Sequence, residues 1–193
     1  MSSDAATSIL TFGYGKRTLD DCLALLLRQD IGYVVDVRSV PWSRFKPEFS
    51  RDALDASLRR RGLTYIFMGA ELGGRPEDPA CYDIDGHVDY VACRHRPQFT
   101  RGVQRLIRAS ANGYRVAVMC SEGRPEDCHR TKLVADVLCE HGVDVRHLDE
   151  RDELRSHEEI LDRLRTSQLD LLGEEREYTM RRSRKRYAQA VQS

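Results

Sequence analysis

The 193-residue chain has no apolar run near the ~18–20 residues needed to cross a bilayer. A membrane-spanning helix is therefore not expected. It has no excess of either charge, since 31 Lys and Arg face 31 Asp and Glu. Bulk electrostatics thus points neither to nucleic acid nor to a lipid surface. The opening residues, MSSDAATS, lack both a basic start and an apolar core. No signal peptide is expected, and the chain is read as cytoplasmic. It also lacks an internal repeat and any C-x-x-C pair, which leaves the signal for a metal weak. No cofactor motif is evident.

What the sequence does contain is 40% hydrophobic residues, enough for a real core at this length. Its six cysteines are Cys22, Cys81, Cys93, Cys120, Cys128 and Cys139. In a long chain without an export signal they read as reduced thiols. Cys22 and Cys139 fall at apolar positions of expected helices and read as core residues.

Short apolar runs alternate with amphipathic stretches. That pattern predicts a three-layer α/β fold, with a mainly parallel central sheet of about five strands flanked by helices. Strands are expected at Ile9–Phe12, Tyr33–Val37, Tyr65–Phe67, Val116–Met119 and Val143–His147. Thr18 reads as a helix N-cap, with Asp20 and Asp21 in the first turn. Ser50 reads as a second N-cap, and Gly62 as the end of that helix. Helices are also expected near 87–94, over 97–112, and from Cys128 to His141 with Asp127 as its cap. Ser156 and Glu159 form a capping-box signature for a last helix through Leu164. Residues 1–150 are expected to form the α/β domain. Residues 151–193 are expected to form a C-terminal helical extension carrying the basic cluster Arg181, Arg182, Arg184, Lys185 and Arg186. That cluster reads either as a solvated helix face or as a nucleic-acid contact.

Open parallel sheets bind ligands at the carboxyl ends of their strands. Those ends deliver Gly13, Tyr14 and Gly15; Asp36, Arg38, Ser43 and Arg44; Gly73 and Gly74; and Cys120, Glu122, Cys128, His129 and Arg130. Guanidinium forks suit a planar or anionic ligand, although Asp36 and Arg38 also suit a structural pair. Tyr14 is a stacking surface or plain packing. Cys128 at a helix start, with His129 and Arg130 beside it, is placed to be a thiolate. Glu122 is placed for proton transfer if it is desolvated. Three readings of the thiols stand side by side: one is a nucleophile, both join His129 as metal ligands, or both pack while Arg130 braces the loop. Arginines fall four and ten positions after Cys120, which misses the Cys-x5-Arg spacing of phosphatases and rhodaneses.

The segments TFGYG, DVRSVPWSRFKPEF, Tyr65 to ELGGR, and CSEGRPEDCHR occur in that order. Together they resemble the family called domain of unknown function 488, over roughly residues 9–148. The resemblance implies a compact three-layer α/β fold with a polar cleft, and it carries no reaction with it. It marks Gly13, Asp36, Arg38, Pro41, Ser43, Arg44, Gly73, Gly74, Cys120, Glu122, Cys128, His129 and Arg130. The expected function is an enzyme acting through Cys120, Glu122, Cys128 and His129 on an anionic or heteroaromatic small molecule of the nucleotide or modified-nucleobase type. The alternative is a nucleic-acid-binding protein using the arginine cleft and the basic tail.

Overall fold

The computed structural model describes residues 6–166 and 180–187. The apolar runs form strands as expected: β1 (Ile9–Gly13), β2 (Tyr33–Asp36) and β3 (Thr64–Phe67). β4 (His87–Asp89) is a short edge strand where the sequence suggested a helix. β5 (Val116–Cys120) and β6 (Val145–Leu148) follow. β7 (Leu154–Ser156) and β8 (Arg182–Arg186) were not expected as strands. The main sheet has the order β3-β2-β5-β1-β6-β7. Its strands are parallel except β7, which runs antiparallel to β6. The sheet therefore continues across residue 150, where the sequence suggested a domain boundary.

Side chains alternate between the two faces of a strand, so each strand feeds two cores. On one face Leu10, Val34, Ala117 and Met119 pack with Leu23, Leu26, Leu54 and Leu58. These leucines come from α1 (Leu19–Arg28) and α2 (Arg51–Arg60). On the other face Ile9, Val35, Val118 and Cys120 pack with Val103, Leu106, Leu133 and Leu138. The result is the three-layer α/β fold. A short α3 (Gly69–Leu72) and α4 (Tyr90–Arg94) precede the long α5 (Pro97–Ala111) on that second face. No helix among the described residues is long and apolar enough to cross a membrane.

Helix ends follow local chemistry. Thr18 caps α1 in a complete capping box with Asp21. Ser50 precedes α2 but makes no side-chain cap bond; its Oγ accepts from the Ser43 amide instead. The helix after Cys120 starts later than expected. Residues Arg130–Ala135 are π-helical and continue into α6 (Asp136–Glu140). Cys128 is extended, and its carbonyl accepts from both Thr131 and Lys132 amides. Asp127 makes no cap bond.

α7 (His157–Thr166) follows β7 directly, and the Glu159 amide donates to Ser156 Oγ as the capping signature requires. Beneath it runs a buried polar chain. Thr11 Oγ1 lies 2.8 Å from His147 Nδ1, and His147 Nε2 lies 3.1 Å from His157 Nδ1. His157 Nε2 reaches Asp136, which also pairs with Arg94. Burial holds His147 well below the usual imidazole range, with His157 and Arg130 acting in the same direction.

Candidate functional site

Parallel pairing brings the carboxyl ends of β1, β2, β3 and β5 to one edge. Asp36, the last residue of β2, is fully buried. Its carboxylate accepts from Arg38 Nε at 2.9 Å and Arg38 Nη2 at 2.6 Å, and from the Tyr65 hydroxyl at 2.8 Å. Arg38 Nη2 also donates to the Phe49 carbonyl. This is the bidentate structural pair. Among the described residues Arg38 Nη1 is buried without a hydrogen-bond partner. Tyr14 stacks on Phe49 with ring centroids 4.2 Å apart, and Arg38 lies over the Tyr14 ring. Its ring is held by packing, with one edge at the cavity described below.

Cys120 ends β5 on the face that meets the segment after Cys128. His129 stands between the two thiols. Its Nδ1 is 3.8 Å from Cys120 Sγ and 3.7 Å from Cys128 Sγ. Its Nε2 lies 3.1 Å from the Val37 carbonyl, which can only accept. That bond assigns a proton to Nε2 and turns Nδ1 toward both sulfurs. The Arg130 amide points at Cys128 Sγ from 3.5 Å. Cys128 thus takes the capping place that the sequence assigned to Asp127. A hydrogen bond from the Cys128 thiol draws Cys120 well below the usual thiol range, with His129 and Arg130 acting alike against burial. Burial pushes Cys128 up, so it is the thiol that keeps its proton.

Arg130 is 0% exposed and has no carboxylate partner among the described residues. Its guanidinium donates to the carbonyls of Glu122 and Gly123, with 3.2 Å to the latter. It therefore braces the 121–124 loop from beneath rather than facing the cavity. The glycines serve the same close packing. A Cβ at Gly13 would overlap the Glu122 carbonyl oxygen, and one at Gly15 would come within 2.8 Å of Gly123 Cα. Gly74 sits against the His129 ring, where a Cβ would lie 2.7 Å from Nδ1. Gly73 packs on Ser39 in the same way.

A cavity of about 360 Å³ opens over the thiols. Cys120, Cys128, His129, Glu122, Tyr14, Arg38 and Gly74 line it, while Gly13, Gly15, Asp36, Gly73 and Arg130 do not. Ser43 and Arg44 do not line it. Ser43 Oγ accepts from the Lys46 amide inside its own loop, and Arg44 is exposed. Glu122 is partly exposed, with Lys185 Nζ 3.8 Å away, so it lacks the desolvation that a proton-transfer role required. Sequence reasoning missed Trp42, Tyr90, Ser183 and Tyr187, and it assigned Arg184 and Lys185 to a tail rather than to the cavity wall.

That wall is β8, expected as a helix and found as a strand against β4. Ser183 Oγ accepts from the Val88 amide, and the Tyr187 amide donates to the Gly86 carbonyl. Its cations meet acids on the body. Arg184 lies 3.3 Å from Asp127, and Arg182 lies 3.2 Å from Asp83. Arg75, exposed at the rim, stacks on the Tyr187 ring at 4.3 Å. The Arg181 carbonyl accepts from the Tyr90 amide, and Arg186 pairs in register with His87.

Cys120, Cys128 and His129 offer three ligand atoms within 4.8 Å of one another. Cys93 and His95 are not in that group.

No curated protein and no solved structure matches the chain. A family model does, over residues 18–138, a span that takes in the Asp36–Arg38 corner, the Gly73–Gly74 turn and the thiol segment. The chain accordingly belongs to the family described as Domain of unknown function DUF488.

Proposed function

We propose that the protein is a thiol-dependent enzyme acting on an anionic, flat small molecule. The observation that carries this reading is the convergence of Cys120, Cys128 and His129 Nδ1 on one cavity. Four cations, Arg38, Arg75, Arg184 and Lys185, line it against two carboxylates, Glu122 and Asp127. Tyr90, Tyr187 and the exposed Trp42 supply flat apolar faces for an aromatic ring.

In this reading Cys120 is the nucleophile. His129 Nδ1 takes its proton while Nε2–H stays on the Val37 carbonyl. The sulfur forms a bond to an electrophilic carbon of the substrate, and the leaving group departs with the bonding pair and receives the proton from His129. Water or a second hydroxyl compound then attacks the same carbon and gives its proton to His129, and the Cys120 sulfur leaves with the carbon–sulfur bonding pair and recovers that proton. The nucleic-acid alternative gains no support from the tail, because Arg182, Arg184 and Lys185 lie beside carboxylates of the body.

Alkylation of the reduced, metal-free protein tests this. Iodoacetamide at pH 7 should modify Cys120 well ahead of buried Cys22, Cys81 and Cys93. The charged reagent iodoacetate should gain on iodoacetamide at Cys120 relative to Cys139. If Cys120 and Cys128 are both inert, the nucleophile reading fails.

A further inference from the structure

The three side chains at the cavity floor have a second property that does not depend on thiol nucleophilicity. Tetrahedral coordination with metal–sulfur bonds of about 2.3 Å and metal–nitrogen bonds of about 2.0–2.1 Å sets sulfur–nitrogen edges of about 3.5 Å and sulfur–sulfur edges of about 3.8 Å. Here the two sulfur–nitrogen edges are 3.8 and 3.7 Å, and all three atoms fall within 4.8 Å. Shifts well under one rotamer change would close the triangle around an ion.

The surroundings match a metal-binding imidazole in a way a packing residue does not need. Metal-bound histidines donate their distal N–H to a carbonyl or carboxylate, which fixes the tautomer and aims the lone pair. His129 does this through Val37. The Arg130 amide, directed at Cys128 Sγ, is the usual support for a sulfur carrying negative charge. The buried guanidinium of Arg130, which among the described residues pairs with carbonyls alone, adds a positive field that favours thiolates over thiols. Two thiolates and a neutral imidazole then carry two negative charges, the complement of a divalent ion.

We propose that Cys120, Cys128 and His129 form a binding site for a thiophilic divalent ion of the zinc class, held by three protein ligands. Two sulfurs and one nitrogen select zinc over magnesium or calcium, which take oxygen. All three ligands line the cavity, so the fourth position opens on it, as in zinc sites that exchange a water for a substrate atom. An ion there would occupy both sulfurs. It would therefore compete with the alkylation chemistry above.

Cobalt(II) is the probe. The full chain, reduced and stripped by chelator, is titrated with cobalt(II) and followed by absorbance. The expected result is one equivalent bound, with a thiolate-to-cobalt charge-transfer band and intense visible bands of tetrahedral cobalt. Zinc should displace it. Cys120→Ser, Cys128→Ser and His129→Ala should each weaken binding at least tenfold, with folding checked by circular dichroism, whereas Cys139→Ser should leave it unchanged. Absence of the charge-transfer band in the folded wild type overturns the proposal, as does a band that survives loss of both Cys120 and Cys128. The two readings fail separately. Cobalt binding with an inert metal-free Cys120 removes the nucleophile and keeps the metal. Rapid alkylation without cobalt binding does the reverse.

Discussion

Acidifying the protein from pH 7.0 to 5.5 should cost it about 1.2 kcal/mol of stability through one side chain, His147. The value follows from a free imidazole near 6.5 and a folded one that stays neutral across the window. The sign is set by which state takes the proton. Folded His147 is 0% exposed, with Thr11 on one nitrogen and His157 on the other. The unfolded chain protonates it as the pH drops through about 6.5, while the folded chain does not. Stability is therefore present above that range and lost as the pH falls into it. Asp136 and Asp149, both held below 3.8 in the fold, act in the same direction but only at lower pH. The assay is urea denaturation of the wild type and His147→Gln at the two pH values. The variant starts less stable, since Thr11 and His157 lose an ideal partner, but its loss between the two pH values should shrink by about 1 kcal/mol. The comparison removes what the four histidines remote from His147 contribute. Equal wild-type stability at both pH values would refute the argument. So would a pH dependence that the substitution leaves unchanged.

Two further substitutions probe the packing beneath the site. Gly13→Ala places a methyl group onto the Glu122 carbonyl, and only movement of the 121–123 loop relieves it; the expected cost is about 3 kcal/mol in denaturant unfolding, with altered Cys120 alkylation even where the fold survives. Tyr65→Phe removes one hydrogen bond to the Asp36 carboxylate and leaves the two from Arg38; about 1.5–2 kcal/mol should be lost, again by urea denaturation, and a neutral result would show that Tyr65 is dispensable to the corner.

The central sheet was legible because its strands are apolar runs, such as Val116–Met119, that suit burial on both faces. Helix ends were legible where the chemistry is local. Thr18 and Ser156 meet their partners three residues on, and Gly62, Gly113 and Gly142 stop helices with φ near 75°. β8 was not legible, because Arg182–Arg186 has no apolar side chain and owes its strand form to the backbone of β4. β7 is three residues long and mostly polar, so it left no periodic trace. The strand-end rule placed Asp36 and Cys120 at one edge of the sheet, where β2 and β5 end side by side. It could not tell which way a guanidinium points. Arg130 turns toward two carbonyls because the tight 121–124 loop offers them, a matter of tertiary fit that no spacing encodes. The same holds for Gly13 and Gly15, whose lack of a side chain accommodates that loop.

The wall formed by Ser183–Tyr187 has a consequence for the order in which the site comes into being. Ribosomal synthesis delivers Cys120, Cys128 and His129 some 55 to 65 residues before that wall, a separation read directly from the numbering. The parallel sheet through β6 can assemble as soon as Leu148 has emerged. During the interval the thiols stand at an unfinished edge, open to oxidants and to loose metal ions alike. The cavity is complete only once the last described strand is in place, although the parallel part of the sheet needs nothing beyond Leu148.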